Sequence, residues 1–209
     1  MFKGGTAIKK AYFANARFSE DLDFTALKTS KQEVLAELKN AFEEKQAEGV
    51  LFEKIREEKT RAGLRASLKF NSFLNYPQAI KFDFSFRENL VLPPVERQLI
   101  DDYSIGEAKI MVLSLEELLA EKIHALFSRV AARDLYDAWF LFQKGVKLDE
   151  GLVEKKFAYY NEEYEPEKLA GKIEEFGPNW RKDLRPFLRA APEFEAVSSQ
   201  TIELLNKNR

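Results

Sequence analysis

The chain has 209 residues, with 33 Lys+Arg against 35 Asp+Glu, one His and no Cys. Lack of Cys excludes a disulfide framework, a thiolate zinc site, an iron–sulfur cluster and a cysteine nucleophile, and a single His excludes a multi-histidine metal cage. A formal net charge of -2 gives no global pull toward nucleic acid, so any such contact must be a local patch.

Gly4-Gly5-Thr6 opens the chain, followed by Ala7, Ile8, Ala11 and Tyr12 at helical spacing. Arg17 to Thr25 reads as an extended segment. Ser30, with Glu33 three residues on, is a capping box for a helix reaching about Gly49, with Val34, Leu35, Leu38 and Phe42 inward. Leu51 to Ile55, Gly63 to Phe70 and Ala79 to Phe86 are expected strands. The last alternates, with Ile80, Phe82, Phe84 and Phe86 on one face and Lys81, Asp83, Ser85 and Arg87 on the other. Pro93-Pro94 marks a loop and Ala108 to Leu113 a further strand. Ser114 then caps a helix, with Glu117 as its capping-box partner. Helical patterns continue over Ala132 to Lys144, Leu152 to Tyr160, Pro166 to Phe176 and Trp180 to Ala190, bounded or interrupted by Pro166, Gly177-Pro178 and Pro186.

This order predicts an α+β protein: a mixed sheet with helices over residues 1–113 and a helical bundle over 114–209, with no linker long enough for two independent domains. At 45% hydrophobic, with 18 Phe, the chain can bury a proper core. Charges recur every few residues, so there is no signal peptide and no bilayer-spanning run, and a cytoplasmic location is the default.

Any metal must be held by carboxylates, which favours hard ions such as magnesium or manganese. Asp21 and Asp23 alternate on an extended segment, so their side chains share a face about 6.5 Å apart. Two carboxylates aimed at one place repel unless a cation lies between them, although a solvated acidic strand end has the same pattern. Asp83, flanked by Phe82 and Phe84, becomes a third acid if its strand pairs beside Asp21 to Phe24, and it can then accept a proton from an attacking hydroxyl. Otherwise it simply faces solvent. Gly4-Gly5 lets backbone N–H groups approach a phosphate, with the Thr6 hydroxyl as a further donor, but paired glycines also make plain turns.

Two features lie in the helical half. Lys122 falls inside the stripe of Leu115, Leu118, Leu119, Ile123 and Leu126, so it must either snorkel or meet an anion such as a triphosphate. Asp134 and Asp137 are one turn apart, beside a buried side of Leu135, Trp139 and Phe142; Asp134 is either an N-cap or first-turn acid, which helix electrostatics favour, or a functional acid. His124 is expected to be exposed and inert on the far side of its helix, and any Ser-His-Asp arrangement would have to use it. Arg181, Lys182, Arg185 and Arg189, near Trp180 and Phe187, form either a solvated helix face or a contact for an RNA backbone.

Five blocks together resemble the AbiEii/AbiGii toxin family of nucleotidyltransferases. They are Phe2-Lys3-Gly4-Gly5-Thr6-Ala7, Arg17-Phe18-Ser19-Glu20-Asp21-Leu22-Asp23-Phe24, Ile80-Lys81-Phe82-Asp83, Leu118 to Leu126, and Arg133-Asp134-Leu135-Tyr136-Asp137. The resemblance implies a polymerase-β-type nucleotidyltransferase fold and activity. It implies Gly4, Gly5, Thr6, Ser19 and Lys122 at the nucleotide, Asp21, Asp23 and Asp83 with Mg2+ or Mn2+, and Asp134 and Asp137 as acids of the last motif. Family members are toxins of toxin–antitoxin or abortive-infection systems, some similar to enzymes that add nucleotides to the tRNA 3′ end. A nucleoside triphosphate, a tRNA acceptor and an antitoxin are therefore the expected partners, with no membrane. Family chains begin well before the Gly-Gly motif, so a shortened start is expected here. The competing functions are nucleotide transfer to a small molecule or protein hydroxyl, and a non-catalytic nucleotide-binding or interaction module.

Overall fold

The computed structural model describes residues 1–209 except 48, 59, 61–62, 72–75, 77, 88–89, 103, 105 and 208–209. The chain divides into two units: one comprises Met1–Tyr12, Ser19–Glu88 and Glu96–Val112, the other Phe13–Phe18, Asn89–Val95 and Leu113–Arg209.

In the first unit, which holds all of these strands but for Val95, β1 (Phe2–Lys3), β2 (Asp21–Thr25), β3 (Gln46–Ala47), β4 (Val50–Glu58), β5 (Leu64–Asn71), β6 (Gln78–Ser85), β7 (Val95–Gln98) and β8 (Lys109–Val112) form a mixed sheet ordered β3-β4-β5-β6-β2-β1-β8-β7. β3 to β6 are joined antiparallel in sequence, and β2 then lies parallel to β6 and antiparallel to β1. The period of two in β6 works as expected. Ile80, Phe82 and Phe84 join a core with Ile55, Ala66 and Leu68, covered by Leu35, Leu38 and Phe42 of α2 (Lys31–Phe42). Phe24 stacks on Phe84 at 5.0 Å between ring centroids and meets Phe2 at 5.3 Å, so aromatic rings tie three strands together on this face. Phe2 is buried, and full burial of such a ring contributes roughly 1.5–3 kcal/mol, whereas the half-buried Phe24 and Phe84 contribute less.

The Ser30–Glu33 capping box forms in full. The helix behind it stops at Phe42 rather than near Gly49, because Glu43 turns to extended backbone and Glu44 takes φ 57°, after which β3 pairs back onto β4. The helix expected after the paired glycines is α1 (Gly4–Ala7), continued by a π-helical stretch, Ile8–Tyr12.

The second unit is helical: α3 (Leu115–Ser128), α4 (Ala132–Gln143), α5 (Glu150–Tyr159), α6 (Pro166–Glu174), α7 (Trp180–Leu184) and α8 (Phe194–Lys207). α3 packs on α4 and α5, and α8 on α4 and α6. Leu118, Leu119, Ile123 and Leu126 are all buried, as the stripe on α3 requires. α7 ends at Leu184 rather than Ala190, since Pro186 cannot donate to a continuing helix. α8 was not expected: its Val197, Ser198, Ser199 and Thr201 are weak helix formers, and packing of buried Val197, Thr201 and Leu205 stabilises it instead. Among the described residues no helix is long and apolar enough to cross a membrane.

Candidate active site

The parallel pairing of β2 with β6 aligns Asp21 with Lys81 and Asp23 with Asp83. Paired residues of adjacent strands share a face, so Asp21, Asp23 and Asp83 stand opposite the Leu22, Phe24, Phe82 and Phe84 side. Gly4 lies directly against Asp23. Its φ is +73°, and a Cβ there would come within 2.3 Å of Asp23 Oδ2. The glycine is needed twice, for its backbone angle and for the room it leaves to a carboxylate.

Two of the expected site residues have partners within the chain. The Thr6 hydroxyl, expected to donate to phosphate, donates to the Asp21 carbonyl oxygen. A hydroxyl has one proton to give, so Thr6 ties the glycine turn to the acid strand. Asp83 is not an open third acid, because its Oδ2 accepts from Arg65 Nε at 3.0 Å and Nη2 at 2.7 Å. Arg65 faces Asp83 across the β5–β6 register and is raised above its ordinary pKa, chiefly by the hydrogen bond and charge of Asp83, with Asp21 adding to it. Among the described residues no three acids or histidines are arranged to hold a metal ion. Asp21 and Asp23 suit a hard divalent ion by donor chemistry and shared face, whereas Asp83 joins them only if Arg65 releases it. Gly5 is buried in α1, and Ser19 is half-buried just before β2.

In the second unit Lys122 faces inward, as its place in the stripe predicts, and it meets protein carboxylates. Its Nζ lies 2.8 Å from Asp134 Oδ1 and 2.8 Å from Asp137 Oδ2. Arg17 grips Asp137 with Nε and Nη2, both at 2.7 Å, and Arg129 Nε donates to Asp134 Oδ2 at 2.7 Å. Asp134 and Asp137 are 0% and 2% exposed, so neither is only a solvated first-turn acid. Burial pushes the Asp134 carboxyl up, yet Lys122 and Arg129 outweigh it and hold its pKa well below the ordinary range. Burial also pulls Lys122 down, and the charges of Asp134 and Asp137 more than restore it. The named side chains carry three cations against two carboxylates. Lys122 donates to Asp134 and pairs by charge with Asp137.

Arg17 and Arg65 are the site residues that sequence reasoning did not single out. Arg17 stood inside a quoted motif, but nothing local showed it 4% exposed and bound to a residue 120 positions away. Arg65 becomes visible only through strand register.

His124 departs from expectation. Its ring stacks on Tyr160 at 4.4 Å, meets Phe157 edge-on at 4.9 Å, and shares a 3.1 Å hydrogen bond with Glu162. α5 and the turn after it cover what looked like a free face, and burial lowers the imidazole pKa against the opposing pull of Glu162. Glu117 also departs. Ser114 Oγ accepts from Glu117 N, but the Glu117 carboxylate accepts from Val91 N and Leu92 N and pairs with buried Lys156 in place of closing the capping box. In the basic cluster, Arg181 is held by Glu193, and Trp180 is 2% exposed with Nε1 donating to Pro192 O.

Over residues 1–200 the sequence matches the family model described as nucleotidyl transferase AbiEii toxin, type IV toxin–antitoxin system. Among solved structures, MenT4, a nucleotidyltransferase toxin from Mycobacterium tuberculosis H37Rv, matches with a TM-score of 0.72 and 22% sequence identity, covering 99% of this chain and 75% of that one. At that identity the likeness is one of fold. No curated protein matches the sequence.

Proposed function

This chain belongs to the AbiEii family of nucleotidyltransferase toxins of type IV toxin–antitoxin systems, and from that premise we propose that it transfers a nucleotide from a nucleoside triphosphate to the 3′ hydroxyl of tRNA in the cytoplasm, with Mg2+ or Mn2+ held by Asp21 and Asp23. The observation that carries this reading is the pair of carboxylates on one face of β2, with Gly4 kept bare beneath Asp23. The ion, when bound, supplies charge neutralisation and Lewis-acid polarisation of the phosphates.

The chain's own residues do the rest. Gly4, Gly5 and Ser19 border the triphosphate, and Thr6 fixes that turn to the acid strand. Lys122, steadied by Asp134 and Asp137, lends its positive charge to the triphosphate. Asp83 takes the proton of the attacking hydroxyl once Arg65 leaves it. A bond forms from the hydroxyl oxygen to the α-phosphorus, the bond from that phosphorus to its leaving oxygen breaks, and pyrophosphate departs. Arg65, freed from Asp83, balances the charge of that leaving group. The family also implies an antitoxin partner.

The test is incubation of the full chain with each α-labelled nucleoside triphosphate, magnesium and total tRNA. Label is expected in the tRNA band with one nucleotide preferred, and none with Asp21→Asn. Label found on protein or on a small molecule, with none on RNA, would reassign the acceptor. No transfer to any acceptor would overturn the proposal.

A further inference from the structure

Phe18 is 51% exposed. Its backbone is nonetheless fixed on both sides. Phe18 N donates to Phe187 O at 2.9 Å, Arg17 Nη1 donates to Phe18 O at 2.9 Å, and the Arg17 guanidinium, anchored on Asp137, lies over the Phe187 ring at 5.3 Å. The ring is thus held out to solvent by its surroundings. It borders an open depression of about 430 Å3 lined by Phe18, Arg185, Pro186, Phe187, Leu188 and Arg189. Arg185 and Arg189 are exposed, and among the described residues neither makes an ion pair, whereas Arg181 is neutralised by Glu193.

We propose that Phe18, Arg185 and Arg189 form a platform for single-stranded acceptor RNA, with an unpaired base stacked on Phe18 and the two guanidiniums on flanking phosphates. This inference rests on the acceptor being RNA. An exposed ring beside unpaired cations is the combination by which single strands are held, since every base has a face to stack and every phosphate a charge. With a net charge of -2 such attraction has to be local, and this is a local patch. Buried Trp180 cannot serve as the stacking ring, and Phe18 can.

The test uses the full chain with a fluorescein-labelled single-stranded RNA hexamer ending in CCA, titrated in EDTA without nucleotide across a salt series. Phe18→Ala is expected to weaken binding roughly 5- to 100-fold while Phe18→Trp retains it. The Arg185→Ala/Arg189→Ala double variant is expected to flatten the log–log salt dependence by about 1.4. Phe18→Ala should also raise KM for tRNA more than it lowers kcat, and melting curves of each variant check that it is folded. Unchanged hexamer affinity in both variants overturns the platform, as does a wild-type chain that does not bind the hexamer. So does full displacement of the hexamer by a nucleoside triphosphate, which would give the ring to the incoming base. Loss of antitoxin neutralisation without loss of hexamer binding overturns it too, giving the surface to a protein. Transfer of label to tRNA is read separately: if it persists in Phe18→Ala with unchanged KM, the proposed function stands and the platform fails.

Discussion

At the scale of single residues, the arrangement most sensitive to change is Gly4 against Asp23. Gly4→Ala places a Cβ 2.3 Å from Asp23 Oδ2 and forces alanine into φ +73°, so the carboxylate or the turn must move. The backbone strain costs on the order of 1–2 kcal/mol. A displacement of about 1 Å at a reacting centre is worth on the order of 100-fold in rate. Gly4→Ala is therefore expected to lose label transfer far out of proportion to its loss of stability. Paired measurements of transfer rate and urea midpoint check this, and a variant with normal transfer would show that Asp23 needs no fixed position. Asp83 poses the opposite case. Its partner Arg65 is a side chain about half exposed, so the pair is weak and exchangeable, which is what the change of partner proposed above asks of it.

At the scale of elements, α3, α4 and the Phe13–Phe18 segment are joined by the Arg17–Asp137–Lys122–Asp134–Arg129 chain of charges. Lys122→Met removes its central cation and leaves two buried carboxylates with one partner each. The expected cost is about 3–5 kcal/mol, because an uncompensated buried charge outweighs the worth of the pair itself. Adding Asp134→Asn should recover part of it, with a coupling of about 0.5–3 kcal/mol. Urea denaturation of the two single variants and the double variant measures this cycle, and a neutral Lys122→Met would remove the network from the list of what stabilises α3 on α4. The same elements show what was readable in the sequence. Lys122 could be seen to face inward because helical spacing is local, and Ser30–Glu33 closed its box because both groups lie within one turn. Asp21 and Asp23 shared a face for the same reason. Glu117 has the same spacing from Ser114, yet its carboxylate goes to Val91, Leu92 and Lys156, partners remote in sequence. Asp83 needed a register, Arg17 a residue 120 positions away. α8 escaped because Ser198 and Thr201 interrupt the buried stripe that Val197 and Leu205 belong to. Local periodicity is legible, and the choice of distant polar partner is not.

At the scale of the whole molecule, three of the groups whose proton affinity the fold shifts, Asp134, His124 and Lys122, each make folding stability depend on pH. Asp134 has a folded pKa below its ordinary 3.8, so its stabilisation is fully present above 3.8 and is lost as pH falls through the folded value. His124 has a folded pKa below its ordinary 6.5, since burial among Tyr160 and Phe157 disfavours the cation. The unfolded chain therefore binds the extra proton first, and stability falls as pH drops below 6.5 toward the folded value. Lys122 runs the other way. Its folded pKa is raised above 10.5, so its contribution is complete below 10.5 and disappears as pH rises through the folded value. The unfolding free energy from these groups should thus climb in two steps from acid, level off above 6.5, and drop again beyond 10.5. His124→Phe keeps a ring against Tyr160 without a titrating nitrogen, so it should abolish the upper acid step and leave the others in place. Unfolding free energies of the wild type and this variant, measured by urea titration from pH 4 upward, isolate the step as a difference, so that carboxylates common to both cancel. Parallel curves through pH 6.5 would show that His124 keeps its ordinary affinity for protons, and that its stacking on Tyr160 leaves the imidazole open enough to water to charge freely.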